Sequence, residues 1–130
     1  MFFDSHAHLN FEDFPDDYSQ VIERCQKNKV KLISVGANYE TSCQAVEMAE
    51  KFPQDVWASI GMHPNYAGDK NFDYQKYLTL AKSSKKVVAI GETGLDYKEN
   101  PSTEIKIKQK ELFQKQIKLA QELNKPLIIH

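Results

Sequence analysis

Two histidines separated by one residue, His6 and His8, follow the first apolar run of the chain. In an extended segment, residues i and i+2 point to the same side, so the two imidazole rings are expected to converge on one point. Paired neutral imidazoles at the carboxyl end of a strand are typical of a metal-binding site. Such a pair has no function on most surface loops, but its position after a β-strand favours the metal-binding interpretation.

Three further polar residues follow later predicted strands: His63 after the third, Glu92 after the fourth and His130 at the tip of the fifth. All four histidines of the chain therefore lie at or just past the end of a predicted strand. Glu92 comes directly after a buried apolar strand, where an unpaired carboxylate would be costly. A neighbouring cation would offset that cost. The sequence therefore predicts that Glu92 is a metal ligand, with a structural ion pair as the alternative.

These positions depend on an alternation of short β-branched runs with longer helical ones. The predicted strands cover residues 2–4, 31–36, 56–61, 86–91 and 125–130. The predicted helices cover residues 15–28, a stretch capped by Thr41, residues 72–83 and residues 103–124, with Pro15 in the first turn of the first helix. This alternation predicts an α/β fold in which helices cover both faces of a parallel sheet. Two architectures fit the pattern: an open doubly wound sheet, or part of an eight-stranded barrel of about 250 residues.

Composition limits the class of protein. The chain has 130 residues, of which 41% are hydrophobic and 27% charged, as expected of one globular domain. Its net charge of −1 excludes a strongly basic protein that holds nucleic acid mainly by neutralising phosphates. The sequence has neither a run apolar enough to cross a membrane nor the pattern of a signal peptide, so a cytoplasmic location is expected. Cys25 and Cys43 are expected to be reduced thiols away from the histidines.

Five motifs together resemble the TatD family of metal-dependent deoxyribonucleases, within the amidohydrolase-like superfamily. The motifs are DSHAHL at 4–9, GMHP at 61–64, GETGLDY at 91–97, the spaced residues Gln109, Phe113 and Gln116, and PLIIH at 126–130. They match in order and spacing along the whole chain. The resemblance implies part of a TIM-type (β/α) barrel, with about five parallel strands and flanking helices.

The resemblance also implies a site for two divalent metal ions, Mg²⁺, Mn²⁺ or Zn²⁺. His6 and His8 would bind the first ion and His130 the second. Glu92 would bridge both ions, and His63 would lie near the substrate phosphate. The implied reaction is hydrolysis of phosphodiester bonds in DNA, as by an exonuclease, through activation of a water by two metals.

The resemblance covers roughly the N-terminal half of the family. Asn65 stands where the family commonly has a histidine. The family takes a further histidine and its catalytic aspartate from later strands, so the base is expected beyond this chain. Residues 1–130 are therefore expected to form a single truncated domain. DNA is the expected substrate, with no membrane partner, and self-association or a partner supplying the remaining strands is expected.

Two alternatives stay open, and the second is of a different functional class. One is a different hydrolase of the superfamily, acting on a C–N or lactone bond. The other is a non-catalytic fragment that binds only a metal or a partner chain. Three polar residues near the motifs receive structural interpretations: Gln109 and Gln116 share one face of the last helix and are predicted to hydrogen bond to neighbouring loops, and Asp96 is predicted to cap its loop.

Overall fold

Strands and helices alternate in the computed structural model, which describes residues 1–10 and 17–130. The strands are β1 (Phe2–Ala7), β2 (Val30–Val35), β3 (Val56–Ile60), β4 (Val87–Thr93) and β5 (Leu127–Ile129). The helices are α1 (Tyr18–Lys27), α2 (Tyr39–Lys51), α3 (Tyr74–Ser83) and α4 (Thr103–Leu123), with a short 3₁₀ turn at Pro64–Tyr66. Among the described helices, none is long and apolar enough to span a membrane.

The five strands form one parallel sheet in the order β1-β2-β3-β4-β5. Every β/α unit therefore advances the sheet in the same direction. A doubly wound sheet would reverse its strand order after the first strand, so that architecture is wrong for this chain. Sequential parallel strands with flanking helices are the arrangement of an α/β barrel, and the prediction of a partial TIM-type barrel is confirmed.

The hydrophobic core lies between the helices and one face of the sheet. Its fully buried side chains include Ile22 of α1, Ile60 of β3, Tyr77 of α3, Ile90 of β4 and Leu119 of α4. Burial of side chains of this size stabilises a fold by about 1.5–3 kcal/mol each. The core thus fixes each strand against the helix that precedes or follows it.

Within residues 1–10 and 17–130, no helix covers the other face of the sheet, so the expectation that both faces are covered is wrong. Ile33 and Trp57 are paired in register between β2 and β3, and both are only partly buried. Phe3 of β1 contacts the ring of Trp57, with ring centroids 5.4 Å apart, and remains 53% exposed. In a barrel this face is the interior, which is covered only when the ring of strands is closed.

The start of α2 differs from its prediction by three residues. Asn38, rather than Thr41, caps α2: its side chain accepts a hydrogen bond from the Thr41 N–H at 2.9 Å. The Thr41 hydroxyl accepts in return from the Asn38 N–H at 3.0 Å, which completes a capping box. The predicted cap was therefore three residues late, because Thr41 is the returning partner of the box. Pro15 lies outside the described residues.

Candidate metal centre

The predicted site residues come together at the carboxyl ends of the strands. His6 lies near the end of β1 and Glu92 near the end of β4. Both were predicted just after their strands, but strand pairing continues past each of them. Ala7 of β1 is paired with Ser34, and the Thr93 carbonyl of β4 accepts the His130 N–H at 2.8 Å. His8, His63 and His130 lie in the segments that follow β1, β3 and β5. Parallel strands place these ends at one rim, so residues distant in sequence become neighbours.

A glycine allows β4 to carry Glu92 into this position. Gly91 has a φ of +153°, a conformation that L side chains rarely adopt. A Cβ atom built there would lie 2.9 Å from the Cβ of Ile128 and closer still to the Ile128 carbonyl oxygen. Only glycine therefore permits β5 to lie this close to the residue that precedes Glu92.

Glu92 is the centre of the site, and its two carboxylate oxygens face different histidines. Oε2 lies 3.2 Å from Nε2 of His6 and 3.2 Å from Nε2 of His8. Oε1 lies 2.7 Å from Nδ1 of His130 and 3.9 Å from Nε2 of His63. We call His6, His8 and Glu92 the first donor group, and His63, Glu92 and His130 the second. In each group the ligand atoms lie within 4.8 Å of one another.

The surroundings of Glu92 lower its pKa, which favours the ionised carboxylate. Burial is the largest single influence and raises the pKa, because only 8% of the side chain is exposed. The hydrogen bond from His130 and the charges of the nearby histidines lower it, and the net shift is downward. A buried carboxylate held in its charged form is the kind of ligand that a divalent cation requires.

The first donor group has the spacing of ligands around a cation. Nε2 of His6 and Nε2 of His8 are 3.1 Å apart, and each is 3.2 Å from Oε2 of Glu92. Ligands bonded to one divalent ion at about 2.0–2.2 Å are about 2.8–3.6 Å apart for bond angles between octahedral and tetrahedral. Two imidazoles and a carboxylate are also a common donor set for such ions. These residues therefore fit a divalent cation.

The backbone selects the tautomer of His8. Nδ1 of His8 lies 2.9 Å from the carbonyl oxygen of Val35, at the end of β2. Because a carbonyl can only accept, Nδ1 must carry the proton, and Nε2 keeps a lone pair directed towards His6 and Glu92. Metal-binding histidines typically donate their other ring N–H to such a group. Sequence reasoning did not predict this contact, since Val35 lies on another strand.

His63 has the opposite tautomer. Its Nδ1 accepts a hydrogen bond from the Asn65 N–H at 3.1 Å, so a neutral ring carries its proton on Nε2. Burial, reinforced by the neighbouring His130, lowers the pKa of His63 and favours this neutral form. Nε2 points to Nδ1 of His130 at 3.0 Å. His63 therefore presents an N–H donor to the site, which suits an anionic group of a substrate better than a metal ion.

Asp96, for which the sequence favoured loop capping over a place in the cleft, has both parts. It caps its loop as predicted, because Oδ1 accepts the Lys98 N–H at 3.0 Å. Its other oxygen, Oδ2, lies 3.0 Å from Nε2 of His130. His130 thus has a carboxylate at each ring nitrogen. Burial lowers the pKa of His130, but its hydrogen bonds to Glu92 and Asp96 outweigh that effect and raise it.

The comparisons with known proteins identify the family of this chain and agree with its fold. Residues 3–130 match the family described as TatD related DNase. The uncharacterized metal-dependent hydrolase YabD of Bacillus subtilis is 44% identical over 131 residues, covering 100% of this chain and 50% of that protein. The 3'-5' ssDNA/RNA exonuclease TatD of Pantoea ananatis is 35% identical over 129 residues, covering 98% of this chain and 49% of that protein.

A solved structure shares the same half of the fold. The crystal structure of the TatD homologue YJJV from Escherichia coli superimposes with a TM-score of 0.85 and 28% identity, covering 99% of this chain and 50% of that one. The class that the fold and the donor set define is a metal-dependent hydrolase on an α/β barrel. Within that class, the chain belongs to the TatD family, and it spans about half the length of the relatives it matches.

Proposed function

We propose that this chain is the metal-binding N-terminal half of a TatD-type hydrolase that cleaves phosphodiester bonds in DNA, as an exonuclease. The observation that carries the proposal is the division of Glu92: one carboxylate oxygen faces two histidines, and the other faces two more. Because Oε2 faces His6 and His8 while Oε1 faces His130, this one carboxylate suits two neighbouring cations. Relatives named as 3'-5' ssDNA/RNA exonucleases support the choice of substrate.

In this proposal each site residue has one role. His6 and His8 hold the first ion, His130 holds the second, and Glu92 contacts both. Two such ions, Mg²⁺, Mn²⁺ or Zn²⁺, supply a water of lowered pKa and neutralise charge on the phosphate oxygens. His63 donates its Nε2 proton in a hydrogen bond to a phosphate oxygen. Because the net charge is only −1, these few groups rather than a basic surface attract the nucleic acid.

We further propose that residues 1–130 act as a single domain completed by other strands. In the part of the chain that the structure describes, β1 and β5 are the edges of the sheet, and each pairs with one neighbour. Phe2, Phe3 and Ile129 on these edges are 74%, 53% and 61% exposed. Bare parallel edges with apolar side chains promote association. A second copy or a partner would cover these edges, and the catalytic base would come from the added strands.

The cytoplasm is the proposed location. Both cysteines, Cys25 and Cys43, are free thiols, and the described residues contain no disulfide. Free thiols persist in the reducing cytoplasm.

The test has two stages, because metal binding and cleavage depend on different parts of the proposal. First, titration calorimetry with Mn²⁺ measures binding to the chain and to its His6→Ala variant. We expect binding that the variant weakens by at least about tenfold. An intact metal affinity in the His6→Ala variant would contradict the first donor group.

Second, single-stranded DNA is incubated with the chain, alone and mixed with the remaining half of YabD from Bacillus subtilis. Loss of a base typically costs about 10²- to 10⁴-fold, so we expect little digestion by the chain alone. The mixture should digest DNA, and the same mixture with His6→Ala should not. The non-catalytic alternative is favoured by the half-length match, and it predicts metal binding with no digestion in any arm.

A further inference from the structure

Two buried glutamines on α4 each form a pair of hydrogen bonds with the backbone N–H and C=O of a single residue near the site. Gln116 is fully buried: its Oε1 accepts the Met62 N–H at 2.8 Å, and its Nε2 donates to the Met62 carbonyl at 2.8 Å. Gln109 is 2% exposed: its Oε1 accepts the Asp96 N–H at 2.8 Å, and its Nε2 donates to the Asp96 carbonyl at 2.9 Å. The predicted bonding of these glutamines to neighbouring loops is confirmed.

The Gln116 pair holds the backbone that leads into His63. Gly61 comes so close to this side chain that an added Cβ would lie 2.8 Å from Oε1 of Gln116. Met62 has both of its backbone groups bonded to the same amide. The next N–H, that of His63, donates to the Ala37 carbonyl at 2.8 Å. The chain on the N-terminal side of the His63 ring is therefore held by direct bonds at consecutive residues.

The Gln109 pair holds the backbone of Asp96, whose carboxylate contacts His130. Oδ2 of Asp96 lies 3.0 Å from Nε2 of His130, and the opposite ring nitrogen faces Glu92. A side chain that fixes the Asp96 backbone thus fixes the carboxylate that orients His130. Gln109 and Gln116 are seven residues apart, two turns of one helix, so a single rigid element reaches both loops.

The first donor group is oriented by different means. His8 bonds to the Val35 carbonyl at the end of β2, and the rings of His6 and His8 contact each other with centroids 4.9 Å apart. None of these contacts involves a side chain of α4. The site therefore contains an internal reference against which an effect transmitted by α4 can be measured.

We propose that Gln116 and Gln109 are positioning residues of the second donor group. Gln116 sets His63, and Gln109 sets Asp96 and through it His130. An ordinary packing role would loosen both donor groups together, whereas this role predicts a change confined to the second. The proposal deepens the proposed function, since it concerns one half of that site, but its test needs neither metal nor DNA.

The test uses NMR of the metal-free chain at a pH of about 8, above the usual histidine pKa of about 6.5. The four histidines of the chain are all at the site, so their ring signals can be assigned by substitution. Two ring-to-ring NOEs are compared: His63 to His130, whose centroids are 4.1 Å apart, and His6 to His8, whose centroids are 4.9 Å apart. Circular dichroism verifies that each variant is folded.

Gln116→Met removes both hydrogen bonds at similar volume, and Gln114→Met makes the same change at an exposed position of α4. We expect Gln116→Met to weaken the His63–His130 NOE several-fold and to leave the His6–His8 NOE unchanged. Gln114→Met should change neither.

Three results would overturn the proposal. One is a folded Gln116→Met chain with a wild-type His63–His130 NOE, and another is an equal loss of both NOEs. If Gln116→Met does not fold, Gln109→Met decides: it should shift the His130 ring signals and spare those of His6 and His8, and wild-type His130 signals there are the third result. Metal binding and digestion by the wild-type chain report separately on the proposed function.

Discussion

The two donor groups share Glu92 and contain the same residue types, yet their surroundings differ. In the first group the side chains of His6 and His8 are 35% and 30% exposed, and a backbone carbonyl leaves the lone pair of His8 on Nε2. In the second group the His63 side chain is 13% exposed, and a backbone N–H leaves the proton of the ring on Nε2. Whether a histidine of this site offers a lone pair or an N–H at Nε2 therefore depends on the backbone group that its Nδ1 contacts.

Substitution of Glu92, which both donor groups share, should lower the metal affinity more than any other change. Glu92→Gln keeps the shape of the side chain and eliminates the charge that both groups use. Second-sphere changes alone typically cost metal affinity about 10- to 100-fold, so loss of this ligand should cost at least about 100-fold for Mn²⁺. Titration calorimetry measures it. A Glu92→Gln chain with wild-type affinity would show that the carboxylate serves a structural ion pair.

The next effect separates the groups. His8→Ala should lower Mn²⁺ affinity at least about tenfold, whereas His63→Ala should leave it within a few-fold, because His63 offers an N–H and no lone pair at Nε2. Equilibrium dialysis of both variants gives the comparison directly. Equal losses of affinity would mean that His63 changes its tautomer and binds metal after all.

A smaller effect concerns the pH dependence of the metal-free chain. The pKa of His130 is raised in the folded state, so the protonated ring contributes stability below about pH 6.5 that is lost as pH rises through the folded pKa. Asp96→Asn removes one of its two carboxylate partners and should lower that pKa. NMR titration of the His130 ring measures the shift, with Lys98→Ala, which keeps the carboxylate, as the control. An unchanged His130 pKa in Asp96→Asn would indicate that Glu92 alone sets it.

The smallest effect should spare both groups. Oγ1 of Thr93 is buried without a hydrogen-bond partner among the described residues, next to Glu92 in β4. Thr93→Val keeps the shape and removes the unsatisfied hydroxyl, which should stabilise the fold by about 1 kcal/mol. Urea unfolding measures this, with Thr79→Val at an exposed helix position as the control. Destabilisation by Thr93→Val would indicate that the hydroxyl has a partner in solution.

Sequence reasoning predicted the features that depend on chain order and local periodicity. The meeting of His6, His63, Glu92 and His130 at one rim follows from alternating strands and helices, since parallel strands end at the same edge. The strand order was left open by this pattern, and the resemblance to the TatD family predicted it. The boundaries of α4 were predicted to within one residue, because Thr103 begins and Asn124 ends a long amphipathic run.

The features that sequence reasoning missed depend on contacts between distant segments. The Val35 carbonyl that selects the His8 tautomer and the Asp96 carboxylate that contacts His130 lie on other strands or loops. Backbone carbonyls have no signature in a sequence, and a carboxylate that caps its own loop gives no sign of a second contact. The expectation that helices cover both faces of the sheet was wrong for a related reason. A barrel and a layered sheet have the same pattern of strands and helices in the sequence.

The neighbour-to-neighbour strand order has a consequence for how the site forms during synthesis. Each strand pairs with the strand made just before it, so the sheet can grow by one β/α unit at a time. The donor groups, in contrast, bring together residues that are far apart in the sequence: His6 and Glu92 are 86 positions apart, and His63 and His130 are 67 apart. A nascent chain with three strands holds His6 and His8 without their carboxylate. A cation that binds at both donor groups therefore stabilises, by mass action, only a sheet in which all five strands are in place.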